Sequence, residues 1–167
     1  MKKTILIPLF LLLNVLLESV VFFRINLWGI RPDSIIAFAT VITIVSGTYA
    51  GTAYAIAAGL LLDVLFSAHF GQMALIYMLS TVGAGLFYRR YYADNNLFPG
   101  IVAGALYVIK EMLVVLSLLV LQIPFSFFNT FWRYLIPSAV LTAVLAIPVN
   151  IIYRRLQDKQ LHVLRYR

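Results

Sequence analysis

The sequence predicts an all-α polytopic membrane protein, a bundle of six transmembrane helices within one integral-membrane domain, 1–167. Apolar residues make up 63% of the chain and charged residues 11%. In a soluble domain about 45–50% of the residues are apolar and roughly a quarter are charged. The apolar runs are continuous rather than alternating, which favours helices over the strands of a barrel. Six spans of about 20 residues each use most of the chain and leave no room in it for a water-soluble domain.

The composition also argues against several classes of site. The chain has no cysteine, and its two histidines, His69 and His162, lie far apart without an acidic residue at metal-ligand spacing. We therefore expect no cofactor and no metal. The net charge of +7 comes from sparse basic residues between apolar runs, a pattern that fits membrane topology better than nucleic-acid binding.

The spans follow the apolar runs in chain order. Glu18 interrupts the first run and no small-residue cleavage site follows it, so we predict an uncleaved first span rather than a signal peptide. The stretch 34–66 is too long for one span and is divided at Ser46-Gly47-Thr48. The six predicted spans are 4–23, 34–46, 49–66, 72–88, 97–121 and 131–153, followed by a basic tail, 154–167.

The basic residues predict the orientation of these spans. With six spans, nine Lys and Arg residues fall on the side of the two termini and three on the other side, with Lys110 inside a span. Because cytoplasmic loops are enriched in Lys and Arg, both termini are predicted to be cytoplasmic. The tail interleaves leucines with basic residues, which is consistent with attachment to anionic lipid or with docking to a cytoplasmic protein.

Small residues predict where helices approach closely in the lipid bilayer. Gly47, Gly51, Ala55 and Gly59 are each four residues apart and so share one face of the third predicted span. Gly100 and Gly104 form a second such pair in the fifth predicted span. These faces serve either packing within the chain or docking of a partner helix.

Charged residues inside a span are costly and are therefore candidate functional residues. Lys110 and Glu111 lie midway along the fifth predicted span and, being adjacent, point about 100° apart, so we expect each to have its own partner. Asn14 and Glu18 share a face of the first span, and Glu18 is the predicted partner of Lys110. Three interpretations remain open: charges satisfied within the bundle, a ligand or ion pathway, and a contact with another protein's helix.

Two aspartates are predicted at the outer boundary of the bundle. Asp33 follows Pro32 at the start of the second span, where a carboxylate caps a helix N-terminus. Asp63 lies near a helix C-terminus, where its charge opposes the helix dipole. It therefore needs a cationic or hydrogen-bonding partner, and Arg31 is the nearest candidate.

One stretch of the chain is similar to a known family. Arg31-Pro32-Asp33, a short apolar helix, Gly51, Gly59-Leu60-Leu61-Leu62-Asp63 and then Gly71 resemble the rod shape-determining protein MreD family, which the size, the six spans and the basic ends also match. Residues of this chain at the family's motif positions are Arg31, Asp33, Gly59, Asp63 and Gly71. The resemblance brings no catalytic residues.

The resemblance implies a scaffold rather than an enzyme. Proteins of that family work in the bacterial cytoplasmic membrane with the single-span protein MreC, the actin-like MreB, and the transglycosylase and transpeptidase of wall synthesis, and so maintain rod shape. Their architecture is similar to that of the substrate-binding subunits of energy-coupling vitamin transporters, which implies a compact bundle with room for a cavity.

Two other functions are weighed against the scaffold. In a small-molecule transporter subunit, Glu18, Tyr107, Lys110 and Glu111 would line a pocket at mid-membrane depth. An intramembrane enzyme finds less support, because the sequence has neither a Ser/His pattern nor an HExxH motif and its carboxylates have no motif spacing.

Overall fold

The computed structural model of the chain describes residues 11, 12, 14, 15, 18, 30–66, 70–87, 97–120, 122 and 134–165, with side chains up to residue 156. Within these residues the backbone forms five helices: α1 (Ser34–Ser46), α2 (Thr48–Phe66), α3 (Gln72–Gly85), α4 (Phe98–Val120) and α5 (Ile136–Arg165). They correspond to the second through sixth predicted spans. Most of the first predicted span, 4–23, lies outside the described residues, as do His69 and the side chain of His162.

Helix α1 is the core of the bundle. Twelve of its 13 residues are buried, and it packs against each of the other four helices, as expected of a helix that is apolar on all sides. The Asp33 side chain caps its N-terminus by accepting a hydrogen bond from the Ile36 backbone N–H at 2.9 Å. Its C-terminus coincides with the predicted break, since Gly47 has a φ of 109° and donates to the Thr43 carbonyl.

Helix α1 is also too short to cross a membrane. Thirteen residues rise about 20 Å, whereas the hydrocarbon core of a bilayer is about 30 Å thick. Helix α1 alone is therefore shorter than the hydrocarbon core. The Asp33 carboxylate lies against Lys110, midway along α4, and its place at the outer boundary stays a prediction.

The small residues of α2 bring it close to two neighbours. A Cβ added to Gly51 would lie 2.7 Å from the Cα of Thr43 in α1, and one added to Gly59 would lie 2.5 Å from the Cα of Ala74 in α3. Ala55, between them, is completely buried. The stripe is thus used for packing within the chain. The prediction that Gly47 belongs to it is wrong, because Gly47 is the non-helical residue between α1 and α2.

The second pair of glycines brings α4 and α5 together. A Cβ on Gly100 would lie 2.8 Å from the Ala143 carbonyl oxygen, and one on Gly104 would lie 3.2 Å from the Ala143 Cβ. Since backbones approach this closely only at residues without bulky side chains, these two glycines set the distance between the helices.

The described part of the chain shows three helices long and apolar enough to span a membrane: α2, α4 and the segment Ile136–Leu156 of α5. The chain is therefore a membrane protein by length and hydropathy, but the six predicted spans are not all present as such helices in the described residues. Helix α5 does not stop at the predicted start of the tail: it continues to Arg165. Pro148 lies inside it.

Candidate functional site

Four helices meet at Asp33, a residue that is 4% exposed. Besides capping α1 through Oδ1, Asp33 accepts through Oδ2 a hydrogen bond from the Tyr77 hydroxyl of α3 at 2.9 Å. The Lys110 Nζ of α4 lies 3.2 Å from the same oxygen. The Asp33 backbone N–H donates to Thr142 Oγ1 of α5 at 3.0 Å. We call the network of polar side chains joined to Asp33 the polar cluster. Its other members are Asn14, Glu18, Ser34, Tyr54, Tyr77, Tyr107, Lys110, Glu111, Ser138 and Thr142.

Lys110 is held between two carboxylates and two aromatic rings. Its Nζ lies 2.6 Å from Glu111 Oε1, 4.9 Å from the centre of the Tyr107 ring and 5.9 Å from that of Tyr77. Two predictions are thereby wrong: Lys110 pairs with Asp33 rather than with Glu18, and it does pair with adjacent Glu111. The Cβ directions of neighbouring residues diverge, but both side chains are long enough for their ends to converge.

Glu18 and Asn14 bind the start of α1 instead. Glu18 Oε2 accepts hydrogen bonds from the Ser34 backbone N–H at 3.1 Å and from the Ser34 hydroxyl. The Oδ1 atom of Asn14 lies against the same hydroxyl, whose single proton is shared between the two acceptors. The Nδ2 of Asn14 donates to the Tyr54 hydroxyl of α2 at 2.6 Å. Both residues therefore face one neighbour, as their spacing of four predicts, and through Tyr54 they extend the polar cluster to α2.

The backbone that leads into α1 is satisfied by hydroxyls of α5. Ser138 Oγ accepts from the Arg31 N–H at 3.3 Å, and Thr142 Oγ1 accepts from Asp33. Non-helical backbone at membrane depth is tolerated only where protein groups satisfy it. Neither residue is among the candidates predicted from the sequence, although a Ser and a Thr four apart in an apolar helix share a face and can be recognised by this spacing. Ser34, Tyr54 and Tyr77 are not among those candidates either.

Asp63 forms a second, separate polar site between α2 and α3. Its two carboxylate oxygens accept hydrogen bonds from the backbone N–H groups of Gly71, Met73 and Ala74 at 3.0–3.1 Å. Asp63 therefore has the hydrogen-bonding partner that the sequence predicts, but this partner is the N-terminal turn of α3, whose dipole favours a negative charge, and not the nearest candidate, Arg31. Gly71 has a φ of 91°, a left-handed conformation that glycine adopts without strain.

The polar cluster links the helices of the bundle. Its described hydrogen bonds and ion pairs run from one part of the chain to another, and they connect all five helices. Among the described residues no three His, Cys, Asp or Glu side chains are placed to hold a metal ion. The cluster therefore fixes the helices relative to one another.

A lipid-facing groove lies apart from the polar cluster. It has a volume of about 510 Å³ and lies between α3 and α4. The Gln72 amide donates to Ser117 Oγ at 2.8 Å within its lining. The other lining residues are apolar: Leu75, Ile76, Leu79, Leu113, Leu116 and Val120. None of the four residues predicted to line a transporter pocket borders this groove.

The sequence was compared with known proteins. The family model described as rod shape-determining protein MreD matches residues 1–156 of the 167. No curated protein and no solved structure matches the chain.

Proposed function

The chain belongs to the family of the rod shape-determining protein MreD, and from this premise we propose that it is an integral-membrane scaffold of the bacterial cell-elongation machinery. Family membership implies a role in determining rod shape. The finer proposal is that the protein holds together a single-span MreC-like protein, the transglycosylase and transpeptidase of wall synthesis, and, directly or through them, MreB. The family match over residues 1–156 carries this proposal.

The construction of the bundle supports a role in contact rather than in chemistry. A scaffold needs faces of constant shape, and the polar cluster connects all five helices through hydrogen bonds that span up to 109 residues of sequence. Outside the cluster, α2, α3, α4 and α5 present exposed Leu, Ile and Val side chains, which are suited to lipid and to the spans of other proteins.

We further propose that the protein resides in the bacterial cytoplasmic membrane with both termini in the cytoplasm. The excess of nine basic residues over three supports this orientation. In this orientation the helical extension of α5 beyond residue 156 lies on the cytoplasmic side.

Depletion tests the proposal. In a rod-shaped host that depends on this protein, its depletion should convert rods to spheres, and re-expression should restore rods. Affinity purification of the tagged protein in mild detergent should recover the MreC-like protein, while an equally abundant, unrelated multi-pass protein should not. Cells that stay rod-shaped after clean removal would contradict the proposal.

No specific observation on the described residues favours the transporter alternative. No solved structure matches the chain, and Lys110 and Glu18 are engaged with Asp33, Glu111 and Ser34. We therefore do not propose a transport function.

A further inference from the structure

We propose that the side of α4 that carries Glu111 binds, next to α5, a transmembrane helix of another chain that carries a lysine or arginine at mid-membrane depth. This inference rests on the proposed scaffold function and deepens it, because it names the chemistry of a partner. It starts from the uneven burial of the three charged side chains at the centre of the polar cluster. The side chains of Asp33 and Lys110 are 5% and 12% exposed, whereas that of Glu111 is 26% exposed.

Glu111 lies near the middle of α4, far from both of its ends. It is 13 residues from the start of α4 and nine residues from its end, or about 20 Å and about 14 Å along the helix axis. A lysine at this depth extends a long aliphatic chain to the interface, but a glutamate side chain is too short to do so. A carboxylate exposed to acyl chains is costly, so a protein group is the appropriate neighbour for it.

The charge balance specifies that neighbour. The polar cluster contains three carboxylates, those of Glu18, Asp33 and Glu111, and one ammonium, that of Lys110, which pairs with Asp33 and Glu111, so acidic groups outnumber cationic ones in it. Among the described residues, Lys110 is the polar contact of Glu111, and a carboxylate accepts several hydrogen bonds. A cationic side chain from outside would neutralise the excess charge and use the free acceptor positions.

The surroundings of Glu111 are suited to a helix. Gly104, Val108, Glu111 and Val115 are spaced by four, three and four residues, which places them on one side of α4. All four are half-buried. At Gly104 this side meets α5, where a Cβ would lie 3.2 Å from that of Ala143. Beyond this contact, Glu111 and Val115 continue the same side toward the end of α4, where a partner span would pack beside α5.

Association in vesicles tests the inference. The full-length protein, labelled with a fluorescent donor, is reconstituted in vesicles of phosphatidylethanolamine and phosphatidylglycerol with an acceptor-labelled Leu/Ala helix of about 20 residues. One version of the helix carries a single central lysine, and the other carries leucine there. The wild-type protein should bind the lysine helix about 5- to 30-fold more tightly, the range that polar contacts between model membrane helices produce.

Two variants decide the outcome. Glu111→Gln keeps the shape of the side chain and should abolish the preference, whereas Ile109→Gln, a change at a neighbouring exposed position, should preserve it. Equal binding of the two helices by the wild-type protein, or a preference that survives in Glu111→Gln, overturns the inference. Circular dichroism and gel filtration establish that each variant is folded. Failure of this assay with normal rod-to-sphere conversion on depletion would reject the Glu111 contact and leave the proposed scaffold function standing.

Discussion

At the scale of single residues, Asp33 organises the site. Its carboxylate caps α1, accepts from Tyr77 and pairs with Lys110, so three kinds of interaction depend on two oxygen atoms. Removing one member of a buried ion pair leaves the other charge without compensation and costs about 3–5 kcal/mol.

A double-mutant cycle measures this pair. Asp33→Asn should lower stability strongly, because Lys110 keeps only Glu111 as an anionic partner, and Lys110→Met should also lower it. The double variant should be less destabilised than the sum of the two, with a coupling energy of about 0.5–3 kcal/mol. The midpoint of SDS-induced unfolding of the detergent-solubilised protein, followed by circular dichroism, reports the stability of each variant.

The control for this cycle is Thr40→Val in the same helix. The Thr40 hydroxyl is buried and has no hydrogen-bond partner among the described residues, so its replacement by an apolar group of the same shape should be neutral or stabilising. Additive effects of the two cluster substitutions would show that Asp33 and Lys110 do not interact in the folded protein.

At the scale of elements, the contact between α2 and α3 depends on one glycine and one aspartate. Gly59 allows the backbone of α3 to approach, and four residues later Asp63 accepts three hydrogen bonds from the start of α3. Because both lie on the same side of α2, close packing and the hydrogen bonds support each other.

A pair of glycine substitutions tests this contact. Alanine is favoured over glycine inside a helix by about 1 kcal/mol, so an increase in stability is the expectation where space allows. Gly59→Ala should nevertheless destabilise the protein, since the new Cβ would lie 2.5 Å and 2.8 Å from backbone atoms of Ala74. In the matched variant Gly83→Ala, the Cβ would meet the movable end of Leu106 at 3.1 Å, and stability should stay equal or rise.

Thermal unfolding in detergent, followed by circular dichroism, compares the two glycine variants. A Gly59→Ala protein as stable as the Gly83→Ala protein would mean that α2 and α3 can separate at no cost.

At the scale of the whole molecule, charge placement and helix length have separate consequences. The basic residues predict the orientation of the chain in the membrane. The start of the short helix α1, in contrast, brings the polar groups of Asp33 and Ser34 into the interior of the bundle. A membrane bundle that contains such groups must satisfy them internally, and the hydroxyls of Ser138 and Thr142 do so for the backbone that leads into α1.

Reporter fusions test the orientation. Green fluorescent protein fused after Arg167 should fluoresce, and alkaline phosphatase at the same point should be inactive, because the basic segments favour a cytoplasmic C-terminus. Fusion of the same reporters after Phe66, at the end of α2, should give the opposite result. Active phosphatase at Arg167 would contradict an even number of spans with cytoplasmic ends.

Much of this protein was predictable from local sequence. Composition alone requires lipid as the solvent, and the family resemblance is confirmed by the match over residues 1–156. The cap at Asp33 and the break at Gly47 were also predictable, because capping and helix termination depend on a few neighbouring residues.

Only the tertiary structure decided which polar groups meet. Lys110 could reach Glu18 in a sequence-based arrangement, but it pairs with Asp33, 77 residues away, and with its neighbour Glu111. Asp63 likewise binds backbone N–H groups of α3 rather than Arg31. The physical reason is that spacing along a helix determines which face of the helix a side chain occupies. The partner that it meets on that face depends on the position of the short helix α1 within the bundle and on how closely the glycines let the helices approach one another.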